Sequence, residues 1–435
     1  MIRMSTTSLF EQGVYNLQRG QNEVFRTQDQ IATGRRVRTP ADDPVAAARG
    51  LEVEQAQAIS AQYSRNGDSA QSALSATELA LSRATSLLQD VRTTAVNAGN
   101  GALSSKELNS IASELRDRYQ ELLGIANSTD GNGLYLFSGY KGTTQPFAET
   151  APGAVQYFGD QGARRVQIGP TRQIPVSEAG SSVFQTIKNG NGTFVSAAAS
   201  GNTGTGIVNP GTVTDPVAWN ATGNPRDFTV VFHVDNSVSP SVTTYDIVDN
   251  QSGLSLTTGA APTSGPFLRT YQSGATISLK RQSPPDTNPT AFDYGADITV
   301  QGAPASGDRF TVKASTNEDV FTTLNNLIAT LETAQSGPTG NTRLANGINT
   351  ALSNLDRGLD NLLSVRAAVG ARLRETDDAQ SSQADQVNQY DKTLSNLRDL
   401  DYAKAISDLA HQQLTYEAAQ KSFAKVQALT LFDYI

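Results

Sequence analysis

Residues 402–426 read Tyr402-Ala-Lys-Ala-Ile-Ser-Asp-Leu-Ala-His-Gln-Gln-Leu-Thr-Tyr-Glu-Ala-Ala-Gln-Lys-Ser-Phe-Ala-Lys-Val426. Large apolar residues recur in this run every seven positions, and a second repeat follows three positions behind: Tyr402, Leu409, Tyr416, Phe423, then Ala405, Gln412, Ala419, Val426. A seven-residue repeat keeps one side of a helix turned towards a partner helix. Residues 371–435 contain neither Gly nor Pro, the two residues that interrupt helices. The run therefore predicts a long helix that packs against another.

The N-terminus carries a matching repeat. Its apolar positions are Phe10, Leu17, Val24 and Ile31, with Val14 four residues after the first. The closing segment 429–435, which includes Leu429 and Phe432, is almost entirely apolar, which is unusual for a solvated terminus. One such repeat would fit an ordinary domain core, but isolated amphipathic helices gain most of their stability from packing. We expect both chain ends to be mobile in the monomer and ordered against neighbouring subunits.

Composition excludes several classes of function. A hydrophobic fraction of 37% and an aromatic fraction of 7% are low for one large core and fit elongated bundles, and 435 residues allow two or three domains. The net charge of −8 argues against nucleic acid, because phosphate binding needs a Lys and Arg excess. No run has the length and apolarity of a membrane span or the core of a signal peptide. With no cysteine and two histidines, His233 and His411, we predict no catalytic, cofactor or metal site.

Helical periodicity occupies the regions on either side of the middle of the chain. Apolar residues three and four apart run through 74–95 and 108–125, which predicts two antiparallel helices joined by a turn at 97–101, the second capped by Ser104 or Ser105 with Glu107 in its first turn. The pattern returns over 320–331 and 348–397 and then slips by one position at 399–402. The slip predicts a stutter in a helix that continues to the C-terminus.

The middle of the chain has a different composition. Residues 151–316 hold 13 of the 17 prolines and 19 of the 36 glycines, between short runs of β-branched and aromatic residues. Such runs predict a β-sandwich or a small barrel. Leu134–Tyr140 also has the composition of a strand, and Ala197–Gly211, rich in Gly, Ser, Thr and Asn, is predicted to be a flexible loop.

The predicted fold is mainly α, an elongated discontinuous helical bundle that carries an inserted β domain. Residues 1–43 and 399–435 form a terminal coiled-coil assembly domain in this prediction. Residues 44–187 and 317–398 form the helical bundle body, with a β-hairpin region near 134–180. Residues 188–316, called the β insertion below, form the β-rich domain.

The connector after the first helix contains Arg35, Arg36, Arg38, Asp42 and Asp43. Gly34 is placed to end a helix in the left-handed conformation, and Asp43 followed by proline is a good start for the next helix. Two interpretations stay open: a subunit-contact loop in which the arginines meet acidic neighbours, or an ordinary connector with a solvated charge cluster. A metal site at the aspartates lacks further ligands.

Three segments resemble the bacterial flagellin family. Residues 30–48, Gln-Ile-Ala-Thr-Gly-Arg-Arg-Val-Arg-Thr-Pro-Ala-Asp-Asp-Pro-Val-Ala-Ala-Ala, look like its N-terminal connector. Residues 133–147, Gly-Leu-Tyr-Leu-Phe-Ser-Gly-Tyr-Lys-Gly-Thr-Thr-Gln-Pro-Phe, are more like the hook-filament junction proteins than the filament flagellins. The third segment runs from Val365-Arg-Ala-Ala-Val-Gly-Ala-Arg372 through residues 400–406 to the C-terminus.

The resemblance implies a secreted, extracellular structural protein of the bacterial flagellum, an adaptor between hook and filament that is not an enzyme. It implies type III export, terminal helices paired around the export channel, and assembly in a ring of identical subunits. The implied partners are hook-associated protein 1 on the hook side, flagellin on the filament side, and a cytoplasmic export chaperone at the C-terminal helix. A filament flagellin is the alternative, and a secreted adhesin or carbohydrate-active protein acting through the β insertion is a remote one.

Overall fold

The computed structural model of the chain describes residues 6–428, and about half of the chain is helical. The helices are α1 (Thr6–Thr33), α2 (Pro44–Ala98), α3 (Ser105–Ala126), α4 (Gly180–Phe184), α5 (Pro216–Asn220), α6 (Val320–Glu332), α7 (Pro338–Arg398) and α8 (Tyr402–Ala428). The strands are β1 (Phe147–Ala151), β2 (Ala154–Tyr157), β3 (Arg165–Gln167), β4 (Gln173–Pro175), β5 (Ile187–Lys188), β6 (Phe194–Ala198), β7 (Ile207–Val208), β8 (Thr212–Val213), β9 (Asp227–Asp235), β10 (Val242–Asp249), β11 (Leu254–Ser255), β12 (Arg269–Thr270), β13 (Thr276–Lys280), β14 (Asp293–Gln301), β15 (Arg309–Ala314) and β16 (Asn317–Glu318). Every strand pair is antiparallel.

The chain divides into two compact units. Unit 1 comprises Met1–Asp68, Gln167–Arg172 and Asp377–Ile435, and unit 2 comprises Ser69–Val166 and Gln173–Thr376. Helices α2 and α7 contribute residues to both units. The three-part domain division drawn from the sequence stays a prediction.

Helical packing forms a core in unit 2. Its buried side chains recur every three or four residues along four helices, and they include Leu74, Leu81, Leu88, Leu115, Leu122, Leu324, Leu327, Leu355 and Leu362. The predicted turn after α2 is confirmed, because α2 ends at Ala98 and α3 begins at Ser105. Ser104 caps α3 in a capping box with Glu107, whose carboxylate accepts the Ser104 backbone N–H at 2.8 Å.

Residues 134–140 are not the strand that their composition predicts. They form turns joined by isolated bridges between Thr129 and Tyr135 and between Ser138 and Ala179. The buried ring of Phe137 packs edge-on against Phe184 at 5.3 Å. The aromatic residues therefore anchor this segment by packing inwards, whereas the paired strands begin at residue 147.

The β insertion contains two sheets that share one core. The larger has the order β11-β10-β9-β15-β6, with β12 also paired to β10, and the smaller has the order β13-β14-β7, with β8 also paired to β14. Buried residues of both sheets form a single cluster, which includes Phe194, Trp219, Phe228, Phe232, Phe310, Ile277 and Ile298. Along these described strands neither sheet closes on itself.

The Gly-rich segment 197–211 is more ordered than a flexible loop. It contains the end of β6 and all of β7. The buried carboxylate of Asp308 accepts the backbone N–H groups of Thr203 at 2.8 Å and Gly204 at 3.0 Å. The segment is fixed because a distant carboxylate satisfies its backbone, which local composition does not reveal.

The predicted stutter at 399–402 is a complete break between α7 and α8. The amide of Leu400 donates to the carbonyl of Gly34 at 3.0 Å instead of continuing the helix. Asp401 then starts α8, since its side chain accepts the N–H of Lys404 at 3.1 Å. Hydrogen bonds and an Asp cap break the helix here without Gly or Pro.

Candidate assembly interface

Helices α1 and α8 lie side by side in antiparallel orientation within unit 1. The rings of Phe10 and Phe423 are 5.5 Å apart near one end of the pair. Near the middle, the hydroxyl of Thr27 donates to Oε1 of Gln412 at 2.8 Å, and Thr27 is buried. The two seven-residue repeats of the sequence therefore meet in one chain.

The surface where the pair meets combines large side chains of α8 with small residues of α1. A Cβ added to Gly13 would lie 2.5 Å from the ring of Phe423, and one added to Gly20 would lie 3.3 Å from the ring of Tyr416. At the end of α1, a Cβ on Gly34 would lie 2.8 Å from the hydroxyl of a third aromatic residue, Tyr402. Each aromatic residue of α8 thus occupies space left open by a glycine, two of them within α1 and the third directly after its end.

The apolar repeat alone does not reveal these glycines. Gly13, Gly20, Thr27 and Gly34 also recur every seven positions, each three residues after a member of the apolar repeat. In the sequence they form a repeat of small residues beside the repeat of large ones. These small residues allow the two helix axes to approach closely, because only a small residue lets a neighbouring side chain reach the helix backbone.

The predicted interface residues differ in exposure. Those that are partly buried along the pair are Val14, Leu17, Val24, Ile31, Leu409, Tyr416 and Phe423. Phe10, Tyr402 and Val426 are exposed, and Leu429 and Phe432 lie outside the described residues. Further large side chains that the repeat does not include are also exposed on these helices: Tyr15, Phe25, Ile406 and Leu414. Pairing therefore leaves a considerable apolar surface uncovered.

The connector between α1 and α2 is bonded to the end of α7. The backbone N–H of Arg36 donates to the carbonyl of Arg398 at 2.7 Å, and its guanidinium donates to the carbonyl of Leu397 at 2.7 Å. Arg35 forms an isolated bridge with Asp399. Gly34 has the left-handed conformation predicted for it, with φ of 69°. The connector between α1 and α2 and the segment between α7 and α8 are therefore hydrogen-bonded to each other.

The aspartates of the connector organise its turn. The N–H and hydroxyl of Thr39 donate to Asp42 at 2.9 and 3.0 Å, which holds the pKa of Asp42 below its ordinary value. Asp43 accepts the N–H of Ala46 at 2.9 Å as the predicted cap of α2, and this bond lowers the pKa of Asp43.

The connector arginines have acidic partners in the same chain. Arg36 pairs with Asp43 at 3.3 Å, and Arg38 pairs with Asp29. Exposed pairs of this kind contribute little stability individually, and the two interpretations of the connector both stay predictions.

Between residues 6 and 428, no group of three or more His, Cys, Asp or Glu side chains is arranged to hold a metal ion. No helix in the same range combines the length and apolarity that crossing a bilayer requires.

Comparison with known proteins gives a family match at the N-terminus. Residues 5–142 match the model of the bacterial flagellin N-terminal helical region. Flagellar hook-associated protein 3 of Salmonella typhimurium is 35% identical over 186 residues, which are 43% of this chain and 58% of the relative. A flagellin of Serratia marcescens is 30% identical over 135 residues, 31% of this chain and 38% of the relative. The chain thus spans less than two thirds of these relatives.

A solved structure extends the similarity over most of the chain. The crystal structure of flagellar hook associated protein-3 from Legionella pneumophila is 28% identical, with a TM-score of 0.68 over 80% of this chain and 98% of that one. The resemblance to the flagellin family, and within it to the junction proteins, is confirmed.

Proposed function

We propose that this chain is a structural subunit of the bacterial flagellum that acts as an adaptor at the junction between hook and filament. The similarity to hook-associated protein 3 over both the alignment and the fold supports this function over that of a filament flagellin. The flagellin of Serratia marcescens aligns over a shorter stretch and at lower identity.

The observation that carries the mechanism is the uncovered apolar surface of the α1 and α8 pair. Leu414 is 69% exposed, Tyr15 63% and Phe25 57%, although each could be buried by a neighbouring helix. Burying a Leu or Phe side chain contributes about 1.5–3 kcal/mol. Copies that stack through these helices would gain this energy several times over, so assembly would be favoured wherever a template aligns them.

The small core of unit 1 supports the same mechanism. Among the described residues of unit 1, the buried hydrophobic side chains are only Val37, Ala46, Ile168 and Ala405. A unit of this size with so few buried apolar groups has little to offset the entropy lost on folding. We infer that unit 1 obtains much of its stability from neighbouring subunits. The proposed contacts are the predicted interface residues that pairing leaves exposed, Phe10, Tyr402 and Val426, together with the exposed apolar residues beside them.

The proposed partners follow from the proposed place of the subunit. They are identical copies in a ring, hook-associated protein 1 towards the hook, flagellin towards the filament, and an export chaperone at the C-terminal helix before secretion. The absence of cysteine supports export as an unfolded chain to an extracellular location, because a disulfide would hinder threading. For the β insertion we propose a sandwich, which the core shared by its two sheets supports.

The test uses cells that lack the gene for this chain and express variants of the full-length protein. Leu414→Ser removes an exposed apolar group of α8, and Leu254→Ser is the matched control at an exposed position of the β insertion. We expect the deletion to leave hooks without filaments and the wild-type chain to restore filaments. Leu414→Ser should restore about tenfold fewer, given the burial energy of one leucine.

Two results would overturn the proposal. Normal filaments in the deletion strain would exclude the junction function. Filaments restored equally by Leu414→Ser and Leu254→Ser would exclude the exposed side of α8 as the assembly surface. Circular dichroism of both purified variants checks that neither has lost its helices.

A further inference from the structure

Helix α7 presents a row of polar side chains to the β insertion and to α4, within unit 2. Asn346, Asn354 and Asn361 are seven or eight residues apart, so they lie on one side of the helix. Asn346 and Asn354 are more than nine-tenths buried. A buried amide is costly unless it is hydrogen-bonded, so the partners of these side chains show what the row does.

Asn346 holds the segment around β7. Its Nδ2 donates to the carbonyl of Gly206 at 3.0 Å, and its Oδ1 accepts the N–H of Val208 at 2.9 Å. Both partners are backbone groups on either side of Ile207. The side chain of Asn346 therefore makes the two hydrogen bonds that a paired strand would otherwise make with this segment.

Asn354 holds the two connections between the β insertion and the helices. Its Oδ1 accepts the N–H of Gly190 at 2.8 Å, just after β5, and its Nδ2 donates to the carboxylate of Glu318 at 3.0 Å, in β16. Strands β5 and β16 pair with each other where the chain enters and leaves the insertion. Asn354 therefore bonds both crossings, which are the two connections of the β insertion to the helices, at one position of α7.

Two more contacts extend the row towards both ends. Nδ2 of Asn361 donates to the carbonyls of Ser182 and Val183 at 2.9 and 2.8 Å. The hydroxyl of Thr339 donates to the carbonyl of Thr203 at 2.9 Å. Asn361 therefore bonds α4, outside the β insertion, whereas Thr339, Asn346 and Asn354 bond the insertion and its two connections to the helices. These three residues span about four turns of α7, at 3.6 residues per turn.

The edge strand β7 explains why this side of α7 is polar. Strand β7 is the last strand of the smaller sheet, and the N–H of its Val208 donates to Asn346. A small cavity is lined by Val208 of β7 together with Thr350 and Ser353 of α7. An edge strand and its flanking turns carry backbone groups that no strand satisfies. An apolar helix face would leave the groups of Gly190, Gly206 and Val208 without partners.

We propose that this polar row is a positioning surface that holds the β insertion in one orientation on α7. The sheets alone do not fix that orientation, because the insertion joins the helices through only two short crossings. The row anchors the insertion at several points along the helix. The inference goes beyond the proposed function and does not depend on it.

The test measures orientation in the full-length chain. Because the chain contains no cysteine, Ser364→Cys on α7 and Thr276→Cys on β13, both exposed, accept one spin label each without competition. We expect a single narrow distance distribution between the labels in the otherwise wild-type chain. Asn346→Ala combined with Asn354→Ala should broaden it, whereas Asn388→Ala, at an exposed position of the same helix, should leave it unchanged.

Amide hydrogen exchange keeps the test valid if the double variant does not fold. We expect Asn346→Ala alone to lower the protection of the Val208 amide by about tenfold, and Asn354→Ala alone to do the same at Gly190. Amides of β9 should keep their protection in both single variants. The proposal is overturned if the folded double variant gives an unbroadened distribution, or if both amides stay protected in the single variants.

Discussion

Replacing Gly13 with alanine tests whether the aromatic rings of α8 occupy the glycine positions of α1. The new Cβ would lie 2.5 Å from the ring of Phe423. Since ordinary contact between carbon atoms needs about 3.5 Å, the ring must move by about 1 Å or the helices must separate. Overpacking of this kind costs about 1–3 kcal/mol, while alanine contributes about 0.5–1 kcal/mol through its helix propensity. We expect a net loss of up to about 2 kcal/mol in the pairing of α1 with α8.

Gly124→Ala is the matched control, because Gly124 lies within α3 and a Cβ there meets nothing within 4 Å. It should show the propensity gain without the clash. Native-state hydrogen exchange of the full-length chain measures both effects, as changed protection in α1 and α8 for one variant and in α3 for the other. If Gly13→Ala raises protection in α1 as much as Gly124→Ala does in α3, the proposed contact between ring and glycine is wrong.

A second comparison at the end of α1 separates backbone strain from the contact. Gly34 and Gly253 have φ of 69° and 73°, but only at Gly34 does an added Cβ meet a side chain, the hydroxyl of Tyr402 at 2.8 Å. Alanine at either position should cost about 1–2 kcal/mol through the left-handed backbone alone. The additional loss at Gly34 should be recovered when Gly34→Ala is combined with Tyr402→Phe. No recovery would mean that the loss comes from strain alone.

Three further predictions concern the other parts of the chain. Asp286→Ala removes the carboxylate bonded to the buried guanidinium of Arg269, at 2.7 and 2.9 Å, and leaves it two backbone carbonyls, those of Ser278 and Lys280. Urea unfolding should show a loss of roughly 3–5 kcal/mol, and a loss below about 1 kcal/mol would contradict the argument. Burial raises the pKa of Tyr119 to about 12, above its ordinary value of 10.0, so stability should fall as pH rises from about 10 to about 12, and Tyr119→Phe should make that fall in melting temperature shallower. Limited proteolysis of the monomer should cleave within residues 1–40 and 396–435 before it cuts the β insertion; early cleavage of the insertion would contradict the proposed dependence of unit 1 on its neighbours.

Local features of the fold could be predicted because each depends on neighbouring residues only. The cap at Ser104 requires a hydroxyl and a carboxylate three residues apart, and the end of α1 at Gly34 requires a residue that tolerates positive φ. The start of α2 at Pro44 after Asp43 follows from the same kind of rule. In each case the residues that decide the helix end lie within one turn of it.

Features made by distant contacts could not be predicted in the same way. The break after α7 depends on the bond from Leu400 to Gly34, some 366 positions away along the chain, and no breaking residue marks it. The turns of 134–140 depend on the packing of Phe137 against Phe184. The order of segment 197–211 depends on the carboxylate of Asp308, which accepts its backbone N–H groups. Composition describes what a segment prefers in isolation, and these contacts overrode that preference.

The apolar repeats of the candidate interface were evident in the sequence. The sequence did not show which of their residues pair within the chain and which remain exposed for a neighbouring subunit. A repeat predicts that a helix has a partner without saying whether the partner belongs to the same chain. The structure assigns the seven-residue positions of α1 and α8 to each other, as the contact of Phe10 with Phe423 shows. Apolar residues outside the repeat, Tyr15 and Leu414 among them, are then left exposed. Intramolecular pairing therefore uses most of the regular repeat. The apolar residues that remain exposed, whether they belong to the repeat, as Phe10 and Val426 do, or lie beside it, are the ones available to a neighbouring subunit.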